Sequence, residues 1–302
     1  MSKIGIRCDC GPVMGMGHIS RQKLIYEELM KLDHEVSFFV KRERNIVKSM
    51  GLPLSNKILM DTMDTLIIDL VEGFEDYDFP RTKIVFYDGP EMIHCDADII
   101  FALNYKQQKS WYRGTGYYVG LDYIPMDPSI SKIEKEFGNL EKILIMTSGI
   151  DPWDMPGQIV RVIKDLGYDI TVKLSNAYPK DWISKLEKHA EIILNVDSVA
   201  SLYEEYDLMI CTAGNVLFEA AVAGLPCISF STGKVQEGHG AFMSDKGFSV
   251  HLGGFWNNTA EVGYLSDAIK FLADRSDREQ RSEIGRSICD GKGLERIINI
   301  IG

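Results

Sequence analysis

From one end of this 302-residue chain to the other, short apolar runs alternate with amphipathic stretches of helical spacing, and that alternation limits the fold more than any other feature. The first series of strand-like runs is Lys3 to Cys8, Glu35 to Val40, Thr65 to Leu70, Lys83 to Tyr87 and Asp98 to Ala102. A second series follows: Ile143 to Met146, Ile170 to Leu174, Glu191 to Asn195, Leu208 to Cys211, Cys227 to Phe230 and Phe248 to His251. Runs that are apolar on both faces and joined by helices form parallel sheets covered on both sides. The first helix, from about Gly17 to Leu32, gathers Leu24, Ile25, Leu29 and Leu32 on one stripe and is expected to lie on such a sheet. Between Asp122 and Phe137 the chain carries Pro125, Pro128 and the charged segment Lys132 to Glu136, the composition of an interdomain link. The expectation is therefore an α/β protein of two Rossmann-like parallel-sheet domains facing a cleft, one over residues 1–135 and one over 136–302. No short-period repeat or low-complexity tract points elsewhere.

Composition removes several function classes. The longest apolar runs, such as Ala220 to Val222 and Leu225 to Phe230, fall far short of the roughly 20 residues that cross a bilayer, so no membrane span is expected. Nothing at the start of the chain has the pattern of a secretory signal. Six scattered cysteines (Cys8, Cys10, Cys95, Cys211, Cys227, Cys289) read as reduced thiols, and the expected location is the cytoplasm. A net charge of −11, with no basic stripe to offset it, argues against nucleic acid and for a small-molecule ligand. Cys8 and Cys10 share one side of a strand, but no second Cys/His pair stands at ligand spacing, so no metal site is expected. No obligate protein partner is evident.

Three segments carry chemistry. Residues 11 to 21, Gly-Pro-Val-Met-Gly-Met-Gly-His-Ile-Ser-Arg, form a glycine-rich turn between the first strand and the first helix. Glycines let backbone approach a ligand, and a helix entrance offers unpaired N–H groups to phosphate or sugar oxygens. Such an entrance disfavours added positive charge, which suits an imidazole that has to accept a proton; His18 is the candidate general base. Residues 207 to 230 read as strand, small-residue turn, helix, Gly-Leu-Pro turn and strand. Gly214 and Asn215 at that helix entrance are placed to hold a diphosphate, and Glu219 to accept hydrogen bonds from ribose hydroxyls. In the third segment, Met146 to Asp151, Ser148 and Gly149 would face the same cleft. Asp9 and Asp88, at strand ends, either contact substrate or cap neighbouring turns.

Taken together these residues resemble the PseG/SpsG family, UDP-sugar hydrolases and relatives with the two-domain architecture of MurG-type glycosyltransferases. The resemblance rests on Ile6-Arg7-Cys8-Asp9 followed by Gly15-Met16-Gly17-His18-Ile19-Ser20-Arg21, on Ile68-Asp69, Phe86-Tyr87-Asp88 and Asp96-Ala97-Asp98, and on Gly149 to Asp151, Ala213 to Pro226 and Gln236. It implies the glycosyltransferase-B fold, with a nucleotide sugar as ligand and no cofactor or metal. It also implies that Ser148, Gly149, Ala213, Gly214, Asn215, Glu219 and Gln236 hold the nucleotide. The sugar falls to Asp9, Gly15, Gly17, Arg21, Tyr87 and Asp88, with Tyr87 or Glu72 supplying a polar group. Water activated by His18 would then attack the anomeric carbon of a deoxy-aminosugar nucleotide and release UDP, in surface-glycan or nonulosonic-acid (pseudaminic acid type) precursor synthesis. The alternatives are a glycosyltransferase, with an acceptor hydroxyl in place of water, and a noncatalytic nucleotide-sugar-binding protein.

Other features read as structure. His239 in Glu237-Gly-His-Gly240 reads as part of a polar loop, and Trp111, Trp153, Trp182 and Trp256 as packing residues. A dinucleotide-binding turn is set aside, because Gly11 to Gly17 lacks the Gly-x-Gly-x-x-Gly spacing and no acidic residue ends the Glu35 to Val40 run.

Overall fold

The structure, a computed structural model, describes residues 1–11, 16–70, 82–87, 96–102, 113–147, 151–175, 178–194, 196, 198–255 and 257–302. The chain forms two compact units. In the first, strands β1 (Lys3–Cys8), β2 (Glu35–Phe39), β3 (Thr65–Asp69), β4 (Lys83–Tyr87), β5 (Asp96–Ala102) and β6 (Arg113–Val119) pair in parallel in the order β2-β1-β3-β4-β5-β6. In the second, β7 (Lys142–Met146), β8 (Asp169–Lys173), β9 (Glu191–Ile193), β10 (Leu208–Thr212), β11 (Cys227–Ser231) and β12 (Ser249–Gly254) pair in parallel in the order β12-β11-β10-β7-β8-β9. The strand at Arg113–Val119 has no counterpart in the sequence reading, since its Arg-Gly-Thr-Gly opening breaks the apolar pattern.

Each sheet begins in its interior and reverses direction once. The chain runs from β1 to β2 on one side, then crosses to β3 on the other; in the second unit it runs from β7 outward to β9, then crosses to β10. At such a switch the two flanking loops part and leave a crevice outside the carboxyl ends of the strands. Helix α1 (Gly17–Lys31) buries Ile25 and Leu29 of the expected stripe, and Ile19 besides; Leu24 is half-buried and Leu32 stays exposed just beyond its end.

In the second unit, one sheet face is apolar throughout. Ile143, Ile145, Val172, Leu174, Ile210 and Phe230 pack there with residues of α3 (Met155–Ile163) and α8 (Leu265–Phe271). Trp153 and Trp182 pack against the same cluster, as expected of structural tryptophans; Trp111 and Trp256 lie outside the described residues. On the opposite face α6 (Asn215–Ala223) lies against β10 and β11, and α5 (Ala200–Glu205) and α9 (Arg275–Ile288) pack on α6.

The units divide at Asp127/Pro128 rather than after residue 135, and residues 291–302 return to the first unit. Hydrogen bonding explains the first difference and packing the second. The Arg286 guanidinium donates to the Ile133 carbonyl at 2.7 Å, that of Arg278 to the Gly138 carbonyl at 2.5 Å, and the Lys135 ammonium to the carbonyls of Tyr203, Glu204 and Tyr206. The charged link is thereby fastened to the second unit. Helix α10 (Gly293–Ile301) buries Leu294, Ile297 and Ile301 in the first unit, and a Cβ on Gly293 would lie 2.1 Å from the Ile124 carbonyl oxygen. No helix among the described residues is long and apolar enough to cross a membrane.

Candidate functional site

The first switch point holds a buried ionic cluster. Asp69 ends β3 in register with Cys8 at the end of β1, and its side chain is fully buried. Helix α1 starts beside it and supplies three partners from consecutive turns. His18 Nδ1 lies 2.6 Å from Asp69 Oδ1; Arg21 donates through Nε to Oδ2 at 2.7 Å and through Nη2 to Oδ1 at 2.5 Å; Gln22 Nε2 donates to Oδ2 at 2.9 Å. Four contacts match the lone-pair capacity of a carboxylate. Burial alone would raise the Asp69 carboxyl, but the Arg21 charge and then His18 outweigh it and hold the group well below the usual carboxylate range. Arg21 in turn lies over the Tyr87 ring, 4.9 Å from its centroid.

An ionised carboxylate has no proton to give, so the hydrogen between Asp69 and His18 sits on Nδ1. His18 Nδ1 is also 2.9 Å from Arg21 Nη2, but both are donors converging on one oxygen, and that closeness follows from their shared acceptor. With Nδ1–H committed to Asp69, a neutral ring carries its lone pair on Nε2. Among the described residues Nε2 has no hydrogen-bond partner, and the side chain is 13% exposed. This is an oriented proton acceptor at the edge of a buried ion pair.

The expected site residues fall into three groups. Gly17 opens α1 and is exposed beside His18. Arg21 and Tyr87 sit beneath the site rather than at its surface: Arg21 is the counter-ion of Asp69, and Tyr87 is fully buried with its hydroxyl donating to the Tyr123 carbonyl at 2.7 Å. Asp9 is likewise committed within the protein, which favours the capping alternative. Its Oδ2 accepts from Arg7 Nη2 at 2.8 Å, and its Oδ1 from the Lys41 and Arg42 amides at 2.8 and 3.2 Å. Burial opposes ionisation of Asp9, but Arg7 and those amides leave its carboxyl below the usual value. Gly15, Glu72, Asp88, Ser148 and Gly149 lie outside the described residues.

The second switch point is built differently. After β10 the Ala213 amide donates to the Phe230 carbonyl and the Gly214 amide to the Thr212 carbonyl, both at 2.8 Å, and α6 begins at Asn215 with no side chain capping it. The Leu217 amide donates to the Gly214 carbonyl at 3.1 Å, and the amides of Asn215 and Val216 are the ones left for solvent or a ligand. Gln236 lies over this turn: a Cβ on Gly214 would be 3.5 Å from Gln236 Nε2. The amide of Gln236 has one orientation, because Oε1 accepts from the Thr232 backbone N–H at 2.9 Å and its hydroxyl at 2.8 Å, so Nε2 donates toward Gly214. One turn into α6, Glu219 accepts at Oε2 from the Tyr203 hydroxyl at 2.6 Å. Beside this turn the Thr147 hydroxyl, one residue past β7, is buried with no hydrogen-bond partner.

His239 belongs to helix α7 (Lys234–Asp245) rather than to a loop, and packs edge-on against Phe218 with ring centroids 5.1 Å apart. Two functional candidates escaped the sequence reading as site residues. Asp69 stood there only as a strand-end aspartate; its pairing with His18 depends on β3 crossing to the far side of β1. Tyr203 lies in a short helix with no local signal for contact with Glu219, 16 residues away.

A pair of parallel-sheet units, each with a polar cluster where strand order reverses, is the glycosyltransferase-B fold. MurG of Acinetobacter baumannii shares it with a TM-score of 0.69 at 12% identity, over 100% of this chain and 99% of that one. In sequence, the chain is 22% identical over 330 residues to the spore coat polysaccharide biosynthesis protein SpsG of Bacillus subtilis, covering 99% of this chain and 97% of that protein. It is 28% identical over 307 residues to an uncharacterized protein of Methanocaldococcus jannaschii, covering 88% of this chain but 62% of the relative, less than two thirds of its length. No protein-family model matches. The chain is thus similar to SpsG over nearly its whole length and has the glycosyltransferase-B fold.

Proposed function

We infer that the protein is a nucleotide-sugar hydrolase that releases UDP from a deoxy-aminosugar nucleotide. The observation that carries this reading is the His18–Asp69 pair. A buried carboxylate fixes Nδ1–H, and Nε2 is left as the acceptor for a proton from water. As the water oxygen bonds to the anomeric carbon from the face opposite UDP, its proton passes to Nε2. The carbon–oxygen bond to the diphosphate breaks, and its electron pair leaves with UDP. The α6 entrance and Gln236 Nε2 supply donors for the charge that develops on the diphosphate. Glu219, whose Oε2 accepts from Tyr203, is the carboxylate assigned to the ribose hydroxyls. General-base catalysis of this kind contributes about 10²- to 10⁴-fold in rate.

The naming of the Bacillus relative for spore coat polysaccharide biosynthesis favours a place in surface-glycan precursor synthesis. The likeness to MurG favours one second reading, transfer of the sugar to an acceptor hydroxyl that takes the place of water. Measuring UDP release from a panel of UDP-sugars without acceptor, including a 2,4-diacetamido-2,4,6-trideoxy sugar, separates the two. Release that is lost in His18→Ala supports the hydrolase. Release only after an acceptor is added supports the transferase, and absence of UDP-sugar binding overturns both.

A further inference from the structure

Lys173 ends β8 beside the second switch point, and the pairing register fixes the side of the sheet it occupies. Met146 of β7 pairs with Lys173 on one side and with Cys211 of β10 on the other. In-register residues of parallel strands point to the same face, so Lys173, Met146 and Cys211 form one row. That row belongs to the face on which α6 lies, because the next residue, Leu174, lies in the apolar cluster of the opposite face. Two strand spacings, roughly 9.6 Å, separate Lys173 from the strand that leads into α6. On that face the Lys173 ammonium lies within electrostatic reach of Glu219 on α6.

Three other cations of this unit are engaged. Lys142 donates to Glu205 at 2.7 Å, Lys135 to three carbonyls, and Arg286 to the Ile133 and Ala223 carbonyls. Lys173 is half-buried yet makes no hydrogen bond or ion pair among the described residues. Burial draws its ammonium below the usual lysine value, and the charge of Glu219, opposing that, shows that the two side chains sense one another. An ammonium without a protein partner at the carboxyl end of the sheet, where strand order reverses, is available to an anionic ligand. Glu219 is already tied to Tyr203.

We propose that Lys173 is the side chain of the second unit that reads the phosphate charge of the nucleotide, so that the site distinguishes a nucleoside diphosphate from the bare nucleoside. The proposal rests on the reading of this unit as the nucleotide site. Glu219, held by the Tyr203 hydroxyl, addresses the ribose end, which both ligands share, and Lys173 addresses the part they do not.

Calorimetric titration of the full chain with UDP and with uridine tests this in the native protein, Lys173→Met and Lys173→Arg. The expected result is a loss of tenfold or more in UDP affinity in Lys173→Met with uridine affinity held within twofold, and recovery of most of the UDP affinity in Lys173→Arg. Equal losses for the two ligands would make Lys173 a support for Glu219 and overturn the proposal, as would unchanged UDP affinity. Binding of neither ligand to the native protein overturns the nucleotide reading itself. Thermal melts of both variants show whether a loss comes from unfolding.

Discussion

The two switch points occupy the same place in two similar sheets and are furnished in opposite ways. In the first unit the crevice is packed with charge that is already paired: Asp69 with Arg21 and His18, and Asp9 with Arg7. In the second the entrance is made of small residues, an uncapped helix and a glutamine whose Nε2 points at the turn. A saturated ionic cluster holds one side chain in one geometry, whereas an uncapped entrance receives something from outside. In the proposed reaction the difference gives proton transfer to the first unit and ligand capture to the second.

The largest effect should come from breaking the first cluster. Asp69→Ala leaves the Arg21 guanidinium buried without its counter-ion and removes the acceptor of Gln22 Nε2. Loss of one partner of a buried pair costs about 3–5 kcal/mol, readable as a lower urea midpoint. Asp69→Asn keeps the shape and removes the charge, so its turnover should fall by about 10²- to 10⁴-fold with ligand binding little changed. Turnover near the native level would sink the role of Asp69 as the orienting group.

Acid sharpens the same contrast. Because the Asp69 carboxyl is held low in the folded protein, its stabilisation is complete above about pH 4, the ordinary range of an aspartate in an unfolded chain. As the pH falls further the unfolded chain takes up its proton first, and the stabilisation fades toward the lower folded value. The urea midpoints of the native protein and Asp69→Asn should therefore converge below about pH 4. A gap that stays constant across that window would mean that the carboxylate is not held by its charge.

Much of this organisation is legible in the sequence, for reasons particular residues make plain. Apolar runs such as Leu66-Ile67-Ile68 are fully buried on both faces of a parallel sheet, so the pattern that announces them has no competing explanation. Glycines before His18 and before Asn215 mark the two helix entrances. What escapes is set by long-range topology. Nothing local tells that Asp69 faces His18, 51 residues away, or that the last helix crosses back to the first unit. Polar residues were the least legible of all. Asp9 and Arg21 carry chemistry-bearing groups at suggestive positions, and only the hydrogen bonds show those groups to be used within the protein.

In the second unit the effects should be smaller and fall on binding. Gln236→Ala removes the Nε2 donor over Gly214 together with the acceptor of Thr232, and a loss of about 1 kcal/mol in UDP binding is expected from one neutral hydrogen bond. An unchanged dissociation constant would place the diphosphate away from the α6 entrance.

Tyr203→Phe is the mildest test and the most selective. The ring is fully buried, and burial first, then the charge of Glu219, pushes its hydroxyl well above the usual tyrosine value, so it stays protonated and donates to Oε2. Phenylalanine fills nearly the same volume, and the apolar contacts survive. What is lost is one hydrogen bond to a carboxylate, about 1.5–3 kcal/mol when the acceptor is charged and less here because Glu219 is only half-buried and water replaces the donor. Stability should fall modestly. Uridine and UDP affinities should fall together, by less than tenfold, because a Glu219 free to change rotamer holds the ribose less often while the phosphate donors are untouched. A loss confined to UDP would place Tyr203 with the phosphate, and equal affinities in native and variant protein would remove Glu219 from the ribose site.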